Sequence, residues 1–244
     1  MTLIFVFLLS IFVQATDHLS PLYHSLKGQD RWLVEEIYNQ KEAGFFVDLA
    51  AFDGISGNNT YLLEKAFQWR GICIEPSPLS VPYLKKNRSA IIEPTCIDYT
   101  NHIVKFRIDN GWLGGIVADD TQNNTLYRAK EIQKAHETQS ILHLKTKTLE
   151  QVLDEHKAPP IIDYLSLDAE GAETRILRHF PFNRYTFLAI TIERPSDELH
   201  ALLIKNDYVF IKTCHFCAFY LHKTHPKSLV LPKETFTPLP KKTW

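Results

Sequence analysis

An α/β fold on a mainly parallel sheet, closed by a C-terminal antiparallel hairpin, follows from three observations. Short apolar runs alternate with helical stretches from Gly44 onward, the order that strands and right-handed crossover helices produce. Several runs are apolar almost throughout, as strands covered on both faces are. The last two strand-like runs, Tyr208-Val209-Phe210-Ile211 and Ala218-Phe219-Tyr220-Leu221, flank a tight turn and so lie antiparallel.

The elements follow in order. Phe45-Phe46-Val47-Asp48-Leu49 is the first buried strand. Ser56 to Trp69 reads as a helix, with Tyr61, Leu62, Leu63, Ala66 and Phe67 at helical spacing and Ser56 or Asn58 as caps. Gly71-Ile72-Cys73-Ile74 is the second strand, Leu79 to Asn87 a helix and Ala90-Ile91-Ile92 the third strand. A less regular middle, Thr100 to His143, contains Val104-Lys105-Phe106-Arg107-Ile108 and a polar stretch from Asp119 to Asn124. Thr148 caps a helix over Leu149 to His156, Ile161 to Leu167 is a buried strand, and Gly171 to Phe180 is a helix. Phe187 to Ile192 is a further strand, Ser196 caps a helix over Asp197 to Lys205, and the hairpin follows. No linker splits the chain.

Composition agrees. A chain of 244 residues with 45% hydrophobic and 12% aromatic residues can bury one full core, which excludes a disordered protein. A net charge of −1 leaves no basic footprint for nucleic acid. Leu3 to Val13 is apolar except for Ser10. Such a run reaches about 16 Å as a helix, half of a bilayer core. With Val13 and Ala15 at the small-residue positions of a cleavage site, residues 1–15 read as a secretory signal peptide and 16–244 as one domain without a stable membrane span. The expected location is the secretory pathway lumen or the exterior. Asn58, Asn87 and Asn123 head glycosylation sequons.

The four cysteines admit three connectivities if oxidised. Cys214 and Cys217 flank the hairpin turn, and a local disulfide or inert thiols are the first reading. Zinc is a second, since His222 and His225 follow, but C-x2-C-x4-H-x2-H is tighter than finger spacing. Thiol redox catalysis is a third, without the helix N-terminus that would lower a thiol pKa. Cys73 and Cys96 sit in strand-like runs as buried thiols.

Open α/β sheets bind ligands beyond the carboxyl ends of their strands. There the sequence places Asp48 and Asp53, then Glu75, then Asp98, then Asp168 with Glu170 and Glu173, then Glu193. The first turn, Asp48-Leu49-Ala50-Ala51-Phe52-Asp53-Gly54, has one glycine and two acids, which suits phosphate poorly. An adenosyl ligand with a cationic centre fits better, with Glu75 placed to accept two ribose hydroxyls. S-adenosylmethionine has that character. No metal triad is evident, and metal independence is expected.

These segments resemble the FkbM-type S-adenosylmethionine-dependent methyltransferases. The resemblance is carried by Gly28-Gln29-Asp30, the 45–54 and 71–76 segments, Asn59-Thr60 with Leu63-Glu64, and Asp163 to Glu173, and it spans roughly 25–222. It implies a class I methyltransferase (Rossmann-like) fold: a seven-stranded, mainly parallel sheet with an antiparallel last strand. It also implies methyl transfer, mostly to hydroxyls of sugars and secondary metabolites, and hence a small-molecule or glycan acceptor. Matched position by position, Asp48, Ala50, Phe52 and Gly54 form the cofactor turn. Glu75 is the ribose acid, Asp98 lies near adenine, and Asp168 and Glu170 stand beside the transfer site as candidate bases. One departure stands out: Ala50 replaces the family's usual glycine, harmless at negative φ and obstructive otherwise. The alternative is a non-catalytic secreted or lumenal interaction protein that keeps the scaffold.

Overall fold

The computed structural model describes residues 23–124 and 128–238; the apolar N-terminal run lies outside them. The chain begins with helix α1 (Gln29–Arg31), which continues as a wider helical stretch over Trp32–Ile37. Strands β1 (Phe45–Leu49), β2 (Arg70–Ile74) and β3 (Ile91–Glu93) alternate with α2 (Tyr61–Phe67) and α3 (Val81–Asn87). The middle segment holds β4 (Cys96–Ile97), β5 (Ile103–Arg107), a 3-10 turn over Gly111–Leu113, β6 (Gly115–Ile116), α4 (Ala129–Glu137) and β7 (Ile141–Lys147). Then come α5 (Leu149–Glu155), β8 (Ile161–Leu167), α6 (Glu173–Leu177), β9 (Thr186–Glu193), α7 (Asp197–Lys205), β10 (Tyr208–Cys214), β11 (Cys217–His222) and α8 (Lys227–Val230).

The expected seven-stranded sheet is present, in the order β10-β11-β9-β8-β1-β2-β3. The run from β9 to β3 is parallel, and β11 is antiparallel to both β9 and β10. β1 is central: Val47 pairs with Ile72 on one side and Leu165 on the other. Its alternate side chains enter opposite cores. Phe46 packs with Leu33, Leu62, Leu63 and Leu84 from α1 to α3. Val47 and Leu49 pack with Val152, Leu177, Leu199 and Leu203 from α5 to α7.

Helices α2 and α6 start later than their apolar spacing predicts, because side chains near the site capture their first turns. Asp53 accepts the N–H groups of Ile55 and Ser56, so α2 starts at Tyr61 and not at Ser56. Gly171 sits at φ 92, which delays α6 to Glu173. Thr148 and Ser196 cap α5 and α7 as expected, Thr148 through a reciprocal box with Gln151; such caps contribute about 1 kcal/mol each.

The segment expected to be irregular forms a second sheet, ordered β4-β7-β5-β6. Val104 and Phe106 of β5 and Ile116 of β6 join the main core, which fixes this sheet over the carboxyl ends of the parallel strands. The four cysteines are free thiols. Cys214 and Cys217 face each other across the hairpin turn. Burial pushes the Cys217 thiol up, away from the thiolate that redox catalysis requires. His222 bonds Thr224, while His225 packs edge-on against Tyr38. Among the described residues these histidines and cysteines form no metal-ligand group.

Candidate active site

The turn after β1 leaves the strand through a backbone zigzag. Ala50, Phe52 and Gly54 take φ values of 63, 51 and 81, while the N–H groups of Ala50 and Ala51 both reach the Ile74 carbonyl. A Cβ at Gly54 would lie 2.6 Å from Arg88 Cγ and 2.7 Å from Leu84 Cδ1, so only glycine fits. Ala50 has no such exemption. Its positive φ is the obstructive case for a side chain at this position.

Asp48 is buried and accepts from Asn58 Nδ2 at 2.8 Å and Thr60 Oγ1 at 2.7 Å. Burial pushes its pKa up, while the Arg88 charge and these donors pull the other way. Arg88, which the sequence did not single out, bonds Glu64, Asn58 Oδ1 and Thr60 Oγ1 from a fully buried side chain. Asp48 therefore braces the turn, with its oxygens engaged by the protein.

Glu75 ends β2. Its two oxygens accept the N–H groups of Phe52 (2.9 Å) and Ser77 (2.8 Å), and burial pushes its pKa up to about 7. It lines a first cavity of about 610 Å³, open mouth included, with Phe52, Ile97, Arg107, Trp112 and Ile176. Asp98, expected near adenine, lines neither cavity. It is wholly buried and held by Arg175 Nε and NH2 at 3.1 and 2.6 Å, with His102 Nε2 at 3.3 Å. The neighbouring Cys96 and Ile97 line the cavity instead.

A second cavity, about 680 Å³ with its mouth, shares Leu49, Ala50, Phe52 and Trp112 with the first. The Phe52 and Trp112 rings lie 6.0 Å apart where the two meet. Its polar wall holds Asn58, Asn59, Ser166, Asp168, Glu170 and Glu193. Parallel pairing creates this wall: Leu167 of β8 is level with Ile192 of β9, so Asp168 and Glu193 leave adjacent strands together. Glu170 sits at φ 51 before Gly171, where a Cβ would come within 2.5 Å of Gln122 N. Glu173 accepts the N–H groups of Ala169 and Gly171 and holds this turn.

The acids have unequal partners. Glu193 accepts from Gln122 Nε2 at 3.1 Å and Arg194 Nε at 3.3 Å. Glu170 is 7% exposed, and its carboxylate has no hydrogen-bond or ion-pair partner among the described residues, while its backbone carbonyl accepts the Gln122 N–H. Burial, then Glu193 and Glu173, push it up to about 8. Burial and the facing Glu193 push Asp168 well above the carboxylate range. The polar 119–124 stretch of the less regular middle contributes Gln122, which is buried beneath this wall.

A family profile described as "Methyltransferase FkbM domain" matches residues 48–210. The chain belongs to the FkbM methyltransferase family. S-adenosylmethionine is the cofactor that membership implies, and this FkbM chain offers an acceptor for its ribose: Glu75, on the first cavity beside the strand-end turn. No curated protein matches the sequence. Among solved structures, the METTL16 MTase domain aligns at TM-score 0.41 and 13% identity, over 78% of this chain and 64% of that one. Human methyltransferase 10 domain containing protein aligns at 0.40 and 12%, over 79% and 78%. Precorrin-6y C5,15-methyltransferase from Geobacter metallireducens GS-15 aligns at 0.37 and 8%, over 75% and 81%.

Proposed function

We propose that this FkbM chain transfers a methyl group to a hydroxyl of a glycan or glycoconjugate in the secretory pathway. The observation that carries the transfer chemistry is the junction of two cavities at Ala50, Phe52 and Trp112, with Glu75 in one and the partnerless Glu170 in the other. The cofactor, when bound, would supply a methyl group on a sulfonium, whose sulfur–methyl bond breaks to leave a neutral thioether. Glu75 accepts the ribose hydroxyls, and Phe52 and Trp112 shield the junction from water. Glu170 takes the acceptor hydroxyl proton as the new oxygen–carbon bond forms. Its pKa of about 8 lies near working pH, where a general base is most effective. Asp168 stands beside it and orients the acceptor. The apolar run 3–13 supports entry into the secretory route.

Calorimetry with S-adenosylmethionine tests the cofactor assignment: binding is expected, and Glu75→Ala abolishes it. Labelled methyl transferred to a glycan panel should survive alkali as an ether; alkali-labile label would identify a carboxyl acceptor and overturn the hydroxyl assignment. The signal peptide predicts a secreted product beginning at Thr16. A second reading, a non-catalytic scaffold, is favoured by the positive φ of Ala50. Absence of cofactor binding in both the wild type and Ala50→Gly would establish it.

A further inference from the structure

The sequence suggested no metal site, yet the fold brings Asp168, Glu170 and Glu193 together with one oxygen from each within 4.8 Å of the others. Two ligands on opposite sides of a hard divalent cation stand about 4–5 Å apart, given metal–oxygen distances of about 2.0–2.6 Å. The spacing therefore accommodates a cation between the three. Other oxygens of this cavity also lack partners. Glu170 is more than nine-tenths buried, with no donor or cation bonded to its carboxylate among the described residues. Asn59, equally buried on the same wall, gives its amide N–H to Ser166 Oγ and leaves Oδ1 without a donor. Glu173, by contrast, is satisfied by backbone N–H groups and belongs to the turn, while of the three converging acids Glu193 also accepts from Gln122 and Arg194.

We propose that Asp168, Glu170 and Glu193 form a site for a divalent cation, Mg²⁺ or Mn²⁺, in the acceptor cavity. All-oxygen, carboxylate-rich donor sets select these hard ions over zinc or copper. The cation offsets three converging negative charges, and its open positions face a cavity large enough for an acceptor oxygen. The site stands on its own geometry; its use in catalysis rests on the methyl-transfer reading above, and a bound cation makes Glu170 a ligand, so it takes the place of the free-base role given to Glu170 there.

The test is a titration of the full chain with Mn²⁺, following the loss of the free-ion electron paramagnetic resonance signal. One saturable site is expected, displaced by Mg²⁺. Glu193→Gln and Glu170→Gln should each weaken it at least about tenfold, a loss typical of perturbed metal sites. Thermal melts verify folding, and both substitutions relieve repulsion, so folded variants are expected. No binding to wild type, or equal binding to both variants, overturns the site. A further titration at saturating S-adenosylmethionine should leave Mn²⁺ bound. Release would overturn the site as an acceptor subsite and assign the carboxylates to the cofactor's ammonium group. Mn²⁺ binding without cofactor binding would refute methyl transfer alone.

Discussion

Replacing Ala50 by glycine should stabilise the protein, although glycine substitutions normally do the reverse. Ala50 holds φ 63 at the end of the central strand. The left-handed region costs a residue with a Cβ about 1–2 kcal/mol. Glycine removes that strain and gives back about 0.4–1 kcal/mol through the greater freedom of the unfolded chain. The net gain is about 1 kcal/mol, or about 2–4 °C in Tm for a domain of this size. The methyl also lines both cavities, so its removal should improve cofactor affinity. Differential scanning fluorimetry with and without S-adenosylmethionine reads both effects. Ala51→Gly is the control: Ala51 is buried and its φ is not positive, so the same change there should lower Tm. If Ala50→Gly lowers Tm as Ala51→Gly does, the strain argument is wrong.

Three further outcomes are expected. Cofactor affinity should be level above pH 7 and fall as pH drops below it. Glu75 is held near 7 and must be ionised to accept two hydroxyls fully, so protonation removes binding; calorimetry across pH should show this slope, and Glu75→Gln should flatten it. Asp98→Asn should leave cofactor affinity within about twofold of wild type while costing about 3–5 kcal/mol in chemical denaturation, as breaking a buried pair with Arg175 does. Peptide mass spectrometry of secreted protein should find Asn58 and Asn123 unglycosylated, since both are buried and Asn58 is tied to Asp48.

Strands β1, β2, β8 and β9 were legible because burial on both faces leaves continuous apolar runs, and α7 because Ser196 caps an amphipathic stretch. The start of α2 was not, since helical spacing says nothing about Asp53 diverting the backbone N–H groups ahead of it. The second sheet escaped because β4 and β6 are two residues each and β5 pairs with a strand more than thirty residues away. Glu75 and the Asp168–Glu170 pair could be placed from strand ends alone. Asp98 could not, because the guanidinium that removes it from the cavity lies 77 residues further on. Arg88 and Gln122 carried no local signal: each matters through a partner that only the tertiary fold supplies.

The central place of β1 also governs the order in which the protein can come into being. Its second neighbour, β8, is synthesised more than a hundred residues after it, and β9, which brings Glu193, later still. During translation the edge of β1 that will meet β8 is therefore bare, an adhesive strand waiting for its mate. A nascent chain carries Glu75 and the turn after β1 long before it owns the acidic wall. Until β8 emerges, that bare edge is open to pairing with another chain.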